Sequence, residues 1–395
     1  MITPFQAIMF CGGLIISNFA FAQTWTQTGA SSNQWYSLAS SADGFKLVAV
    51  ANPGSIYTSA DSGATWMLTS APSNTWSSVA SSADGSNLVA AGGGSVFTSV
   101  DSGVSWNSNS VPWIPASTNP VFVASSTDGS NLLAAAQKIG LFTSTNGGRT
   151  WTSNNVIAKL PWIFAASSAD GTKLWAVSDS GPNIWVSTNS GRVWTSTTAF
   201  NSNWREVAPT ADGNRLAGVN YGWGIYISTN SGMSWTKTSG PVINGQNWQA
   251  VASSATGSNL VASAGALFGS YGPGPIYTST NSGASWVSNS APSKRWASVA
   301  SSADGSKLVA VANGGGIYTL QTTPSPKLNI TLSRSDLTVS WVVPSTDFVL
   351  QHNMDLSTTI WTTLTNRPTL NPTTLQNEIT LPLNSANNFY RLANP

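Results

Sequence analysis

A five-residue turn of the form Ser-Ser-Ala-Asp-Gly recurs along the chain, with its acidic position at Asp43, Asp84, Asp128, Asp170, Asp212, Thr256 and Asp304. Successive copies lie 41 to 48 residues apart, the length of a four-stranded propeller blade. At that period each copy is one supersecondary unit that cannot bury its apolar face alone, so neighbouring units must stack to make a core. The second copy shows what a unit contains: "WSSVASS", "LVAAG", "SVFTS" and "VSWNSNS" read as four strands, separated by "ADGSN" and "VDSG". Runs rich in Val, Thr and aromatics bounded by Asp-Gly or Ser-Gly are hairpin chemistry, because Gly accepts positive φ and the Asp side chain caps its own turn. No segment carries a 3.6-residue apolar period long enough for a helix, so the fold class is all-β.

The last copy breaks off at "GGGIYTLQTTPSPK" without a fourth strand, whereas "TWTQTGA", 24–30, reads as a fourth strand with nothing before it. The expectation is a seven-bladed β-propeller in which the N-terminal strand completes the last blade and closes the ring, removing an open sheet edge. Residues 23–323 form this domain. The chain then changes character through "TTPSPK", and 324–395, with "LTVSW", "FVLQ", "IWTTL", "NEITLPL" and "FYRL", reads as a small C-terminal β-sandwich.

Residues 1–22 read as a secretory signal peptide: an apolar stretch from Ala7 to Ile16 and then Ala20-Phe21-Ala22, although Met1 to Gln6 holds no Lys or Arg. The apolar run is shorter than the roughly 20 residues that span a bilayer, so no membrane span is expected in the mature chain. The expected location is secreted, periplasmic or cell-surface, and the expected state a monomer. Cys11 lies inside the signal, which leaves the mature protein without disulfides or a thiol nucleophile. Only 8% of residues are charged and the net charge is +2. With no basic stripe to gather phosphates, nucleic acid is excluded as a partner.

A second motif, S-x-[DN]-x-G-x-[ST]-W, closes six of the units at Ser59–Trp66, Ser99–Trp106, Ser144–Trp151, Ser187–Trp194 (with Val193 at the Ser/Thr position), Ser228–Trp235 and Ser279–Trp286. This motif resembles the Asp-box, or BNR repeat, of sialidases, xyloglucanase-like glycoside hydrolases, sortilin-type receptors and Ycf48-like assembly factors. The resemblance covers about residues 24–323. It implies a propeller in which the box turns join third and fourth strands, the Asp or Asn bonds backbone amides, and the Trp packs into the blade. Asp61, Asp101, Asn146, Asn189, Asn230 and Asn281, with Trp66, Trp106, Trp151, Trp194, Trp235 and Trp286, are then structural. Four of those six boxes carry Asn, a change that a hydrogen-bonding fastener accepts and a catalytic acid does not. The tail is similar to C-terminal β-modules of secreted repeat proteins of Verrucomicrobia.

Once the turns and boxes are set aside, the propeller retains two acids, Asp179 and Glu206. Hydrolysis needs placed carboxylates, so this pair is the catalytic alternative, in a glycoside hydrolase or lyase. Loops from fourth to first and from second to third strands form the face that the resemblance marks for ligands, and both acids fall there. A sialidase would need three Arg on its substrate, and only Arg205 and Arg295 lie near that face. His352 is the sole histidine and sits in the tail, so neither a metal nor a cofactor site is expected. The repeat also accounts for thirteen Trp. Those aromatics that break it lie in the same loops: Trp113, Tyr221, Trp223, Phe268 and Tyr271. Exposed aromatics among Asn, Gly and Ser suit stacking on sugar rings or gripping a protein loop. The function expected is therefore non-catalytic binding of a glycan or surface polymer, with an assembly factor docking a protein partner as a further alternative.

Overall fold

A computed structural model describes residues 25–109, 111, 119–154, 159–181, 183–199, 203–238, 247–265 and 272–321. In the tail it describes 328–333, 336–342, 349–354, 361–366, 368–371, 373–374, 376–382 and 389–393. The expected signal, the 322–327 part of the linker, Trp113, Phe268 and Tyr271 lie outside the described residues. Among the described residues there is no helix, and none is therefore long and apolar enough to cross a membrane.

Every repeat folds into four antiparallel strands. In unit 1 they are Asn33–Ser40, Leu47–Ala51, Ile56–Ser59 and Met67–Leu68, and units 2 to 6 follow the same order. Unit 7 supplies Trp296–Ser301, Lys307–Gly315 and Ile317–Gln321, and its fourth strand is Thr26–Gln27 from the other end of the chain. Thr26 faces Thr319 and Gln27 faces Tyr318 in this ladder. Thr28 adds a bond from its N–H to the Ile317 carbonyl at 2.9 Å. The expected closure is thus present.

The burial pattern explains the strand order. Second strands such as Leu47–Ala51, Leu88–Gly92 and Leu132–Ala136 are buried at every position, because sheets lie against both of their faces. Fourth strands are two or three residues long and mostly exposed, short enough to offer little template for edge pairing. Alanines such as Ala49, Ala90, Ala134 and Ala176 let the sheets approach closely, and Trp35, Trp76, Trp162, Trp204, Trp248 and Trp296 fill the remaining space with no exposed surface. These indoles open the first strands, and their repetition is architectural.

Around the axis the units are stitched together by backbone. The N–H of Ala42 donates to Ala83 O, Ala83 to Thr127, Thr127 to Ala169, Ala169 to Ala211, Ala211 to Ala255, Ala255 to Ala303, and Ala303 back to Ala42, each at 2.7 or 2.8 Å. Seven bonds make one closed circuit. A second set lies outside it: Asn87, Asn131 and Asn259 each donate a side-chain amide, and Lys173 its ammonium, to the carbonyl of the next unit's Asp-Gly turn. At the seam between units 7 and 1, Lys307 Nζ instead lies 3.2 Å from the Phe45 ring centroid.

The turns between third and fourth strands are held by local hydrogen bonds. Ser59 Oγ accepts from Gly63 N at 2.9 Å and donates to Asp61 Oδ1 at 2.7 Å. Asp61 Oδ1 accepts from Thr65 N at 2.8 Å, and Trp66 Nε1 donates to Gly63 O at 3.1 Å. Asn281 makes the same backbone bond, accepting from Ser285 N at 2.8 Å, and uses its Nδ2 as donor to Ser285 Oγ. Either residue serves because the shared Oδ1 does the fastening. Gly63 sits at φ +90°, where an added Cβ would also meet Thr319 Cγ2 at 3.1 Å.

In the tail, one sheet joins Asn329–Leu332, Asp336–Val342, Gln376–Pro382 and Thr369–Asn371, and a second joins Thr362–Thr363, Val349–Asn353 and Phe389–Ala393. Val339, Trp341, Leu350 and Ile379 from the two sheets share one core.

Two outcomes are expected. Trp25 is 5% exposed and packs 6.4 Å from Trp296 between ring centroids, so Trp25→Ala should lower unfolding free energy by about 3 to 5 kcal/mol, read by denaturant titration. Asp101 is held down to about 2, first by the Ser105 hydroxyl and then by the Ser105 amide. A carboxylate lowered by the fold stabilises above its unfolded value of 3.8 and loses that contribution as pH falls toward about 2. Asp101→Asn should therefore be close to neutral at pH 7 and should flatten the acid limb of a stability profile, whereas Asp101→Ala should cost about 1 kcal/mol at pH 7.

Candidate functional site

First strands run toward the stitched ring, so their opening residues gather at the opposite end, away from the box turns. All seven units contribute there to a cavity of about 310 Å³. In six units the register with the second strand slips immediately after the opening Trp, as between Trp204 and Glu206 or Trp162 and Phe164. A bulge interrupts the alternation of faces, and in five of these units both residues after the Trp then line the cavity. That is how Tyr36 and Ser37, Ser77 and Ser78, Ile163 and Phe164, Arg205 and Glu206, and Ala297 and Ser298 come to face it in pairs.

The cavity is chemically divided. Pro120, Phe122, Ile163 and Phe164 from units 3 and 4 give an apolar wall; Arg205, Glu206, Gln249, Ser298, Tyr36 and Ser37 from units 5, 6, 7 and 1 give a polar one. Asp179 and Tyr221 complete it from two second-to-third strand loops, and Gln137 from a third. Arg205 is the centre of charge. Its Nη1 lies 4.0 Å from Asp179 Oδ1, a loose and partly exposed pair, and its guanidinium carbon lies 5.0 Å from the Tyr221 ring centroid. Its Nε is buried without a hydrogen-bond partner. Burial raises the Tyr36 phenol, with the Arg205 charge opposing.

Glu206 has a structural counterpart in other units. Ser37 Oγ accepts from Val79 N of the next unit at 3.2 Å, and Ser78 Oγ from Val123 N at 3.1 Å. Glu206 Oε2 accepts from Val251 N at 3.3 Å, occupying the same bridging position with a longer, acidic side chain. Removal of its carboxyl from water pushes the pKa well above the ordinary 4.5, and the single backbone bond only partly offsets this.

Of the candidates read from sequence, Asp179, Glu206, Arg205 and Tyr221 come together around this cavity. Trp223 stands two residues beyond Tyr221 on the same hairpin, 58% exposed. Arg295 is exposed and is not among the residues that line the cavity. Sequence reasoning missed Tyr36, Phe122, Gln137, Ile163, Phe164 and Gln249. The available signal for four of them was the pair of positions directly after the repeated Trp, which reads Tyr-Ser, Ser-Ser, Ile-Phe, Arg-Glu, Gln-Ala and Ala-Ser between an invariant Trp and a nearly constant Val-Ala-Ser. Among the described residues, no three His, Cys, Asp or Glu side chains cluster as metal ligands.

An acid favoured in its neutral form by the fold stabilises below the unfolded carboxyl value and loses that contribution as pH rises through the raised one. Glu206→Gln keeps an acceptor for Val251 N and cannot ionise. Its melting temperature relative to wild type should therefore be higher at pH 9 than at pH 5, as followed by scanning calorimetry.

Neither protein-family models nor curated proteins contain a match to this chain. Solved structures do resemble it. Ycf48 bound to a D1 peptide superposes with a TM-score of 0.57 at 16% identity, covering 76% of this chain and 96% of Ycf48. The GH74 xyloglucanase from Xanthomonas campestris gives 0.58 at 16% identity, and the GH74 enzyme from Niastella koreensis 0.60 at 14%. These two cover 81% and 87% of this chain, which itself spans only 59% and 60% of theirs. At such identities the likeness establishes architecture: the chain is a β-propeller of the kind that Ycf48 and the GH74 enzymes share.

Proposed function

We propose that this protein is an exported, non-catalytic binding protein that recognises a glycan at the open end of its propeller. The observation that carries the reading is the cavity itself, with an aromatic and aliphatic wall facing a wall of amides, hydroxyls and one cation, and with Trp223 exposed nearby on the Tyr221 hairpin. Sugars present apolar C–H faces and polar hydroxyls on one ring, so a divided cavity of this size matches one unit of a polymer better than an extended stretch. Asp179 is engaged with Arg205, and Glu206 spends one oxygen on the bond to unit 6, which fits positioning roles for both.

Two other readings draw on particular observations. A hydrolase would use Asp179 and Glu206, which line one cavity and sit in unlike environments. A protein-docking role draws on the likeness to Ycf48, which has been seen with a peptide.

A glycan array probed with the intact chain should show selective binding, and Trp223→Ala and Tyr221→Ala should each weaken the selected interaction about tenfold or more. Release of reducing ends from the bound glycan, abolished by Glu206→Gln, would replace binding with hydrolysis. Silence across the array together with selective capture on a peptide array would replace the glycan with a protein.

A further inference from the structure

Glu206 does more than its position requires. A serine hydroxyl is sufficient for the inter-unit bond in units 1 and 2, where Ser37 and Ser78 make it. Glu206 makes that bond with Oε2 and buries a carboxyl group to do so, a cost with no structural return. What the longer side chain adds is a second oxygen on the cavity wall. Because Val251 N–H donates to Oε2, that atom acts as acceptor. The proton of the neutral acid then belongs on Oε1, which is free to donate.

A second donor stands beside it on the same strand, the partly exposed Arg205 guanidinium, which also lines the cavity. Asp179 balances the guanidinium charge, so the wall offers hydrogen-bond donors without a net positive charge. That combination favours an uncharged carbonyl oxygen over a carboxylate. Gln249 and Gln137 supply side-chain carbonyl acceptors, and Phe122, Ile163 and Phe164 supply an apolar surface that a methyl group would cover.

We propose that this cavity recognises the acetamido group of an N-acetylated sugar. The carbonyl oxygen accepts from the Glu206 O–H and from an exposed N–H of the Arg205 guanidinium, the amide N–H donates to a glutamine side chain, and the acetyl methyl lies on the Phe122 and Phe164 wall. The inference rests on the glycan reading above and names the sugar class within it. The titratable groups facing Glu206 are Arg205 on its own strand, Asp179 from unit 4, Tyr221 from the adjoining hairpin and Tyr36 from unit 1; unit 6 contributes Gln249 and Val251, and unit 7 Ala297 and Ser298, none of which titrates. Burial holds the Glu206 carboxyl neutral well above the ordinary range, and the recognition therefore fails as pH rises.

Calorimetric titration of the intact chain with chitohexaose and with cellohexaose separates the acetamido group from a hydroxyl on the same backbone. Chitohexaose should bind about tenfold or more tightly than cellohexaose, and its affinity should fall about tenfold per pH unit once Glu206 ionises. Glu206→Gln, which cannot ionise, should remove the pH dependence of chitohexaose binding. Glu206→Ser should keep the melting temperature, through the serine-type bridge, and lose about tenfold or more in chitohexaose binding. Equal affinity for the two hexaoses, or a Glu206→Ser variant that binds chitohexaose as wild type does, overturns the acetamido assignment. If neither hexaose binds while other glycans on the array do, the assignment falls and the glycan reading stands; if no glycan binds, both fall.

Discussion

The structure depends on one closed circuit of backbone hydrogen bonds. Seven N–H groups beside the Asp-Gly turns each reach the carbonyl of the next unit, and the last returns to the first. In an open stack of repeats, each unit answers only to its neighbours and the two ends are exposed. Here the circuit fixes every unit between two others, and the strand Thr26–Gln27 completes the unit that would otherwise end in an unpaired edge. Buried polar groups must be paired, and at this end seven backbone N–H groups find their partner in another unit. The turn residues therefore specify the ring as well as the local hairpins.

That circuit also decides which end can work. At the stitched end the axis is lined by Ser, Ala and Thr side chains, and hydroxyls such as those of Ser40, Ser81 and Ser125 turn back onto the carbonyl of the following residue. Chemistry there is uniform and already satisfied. At the other end the first strands begin, six of them with a buried Trp that anchors the strand and a register slip directly after it. Side chains placed there differ from unit to unit, from Ala250, which is buried in the core, to Arg205 and Glu206, which line the cavity. The same repetition that builds the scaffold thereby provides seven independent places around a single cavity.

Much of this was legible in the sequence because repetition separates architecture from exception. The turn spacing and the orphan strand at 24–30 implied the ring, and the Asn-for-Asp exchanges implied a fastener; Asn281 and Asp61 accept the same amide bond. Asp179, Glu206, Arg205 and Tyr221 stood out as departures from the pattern and now share a cavity. Tyr36, Gln249 and Phe164 did not stand out, because strict alternation along a strand places adjacent residues on opposite faces. Only the bulge turns both toward the axis, and nothing in the local sequence announces a bulge. The Phe45–Lys307 contact at the seam was hidden for a related reason: it joins residues far apart in the chain, in the one pair of units that the repeat does not connect covalently in order.

Glu206 shows how a repeat can be read at the level of atoms. In a protein without internal copies, a buried glutamate bonded to a backbone amide would be indistinguishable from a structural cap. Here two other units solve the same problem with serine at 3.1 and 3.2 Å, and the glutamate solves it no better at 3.3 Å. The three bridges are equivalent in what they connect and unequal in what they bury. An acid whose neutral form is favoured by burial adds a donor that serine lacks the reach to place, on the cavity wall that it shares with the Arg205 guanidinium.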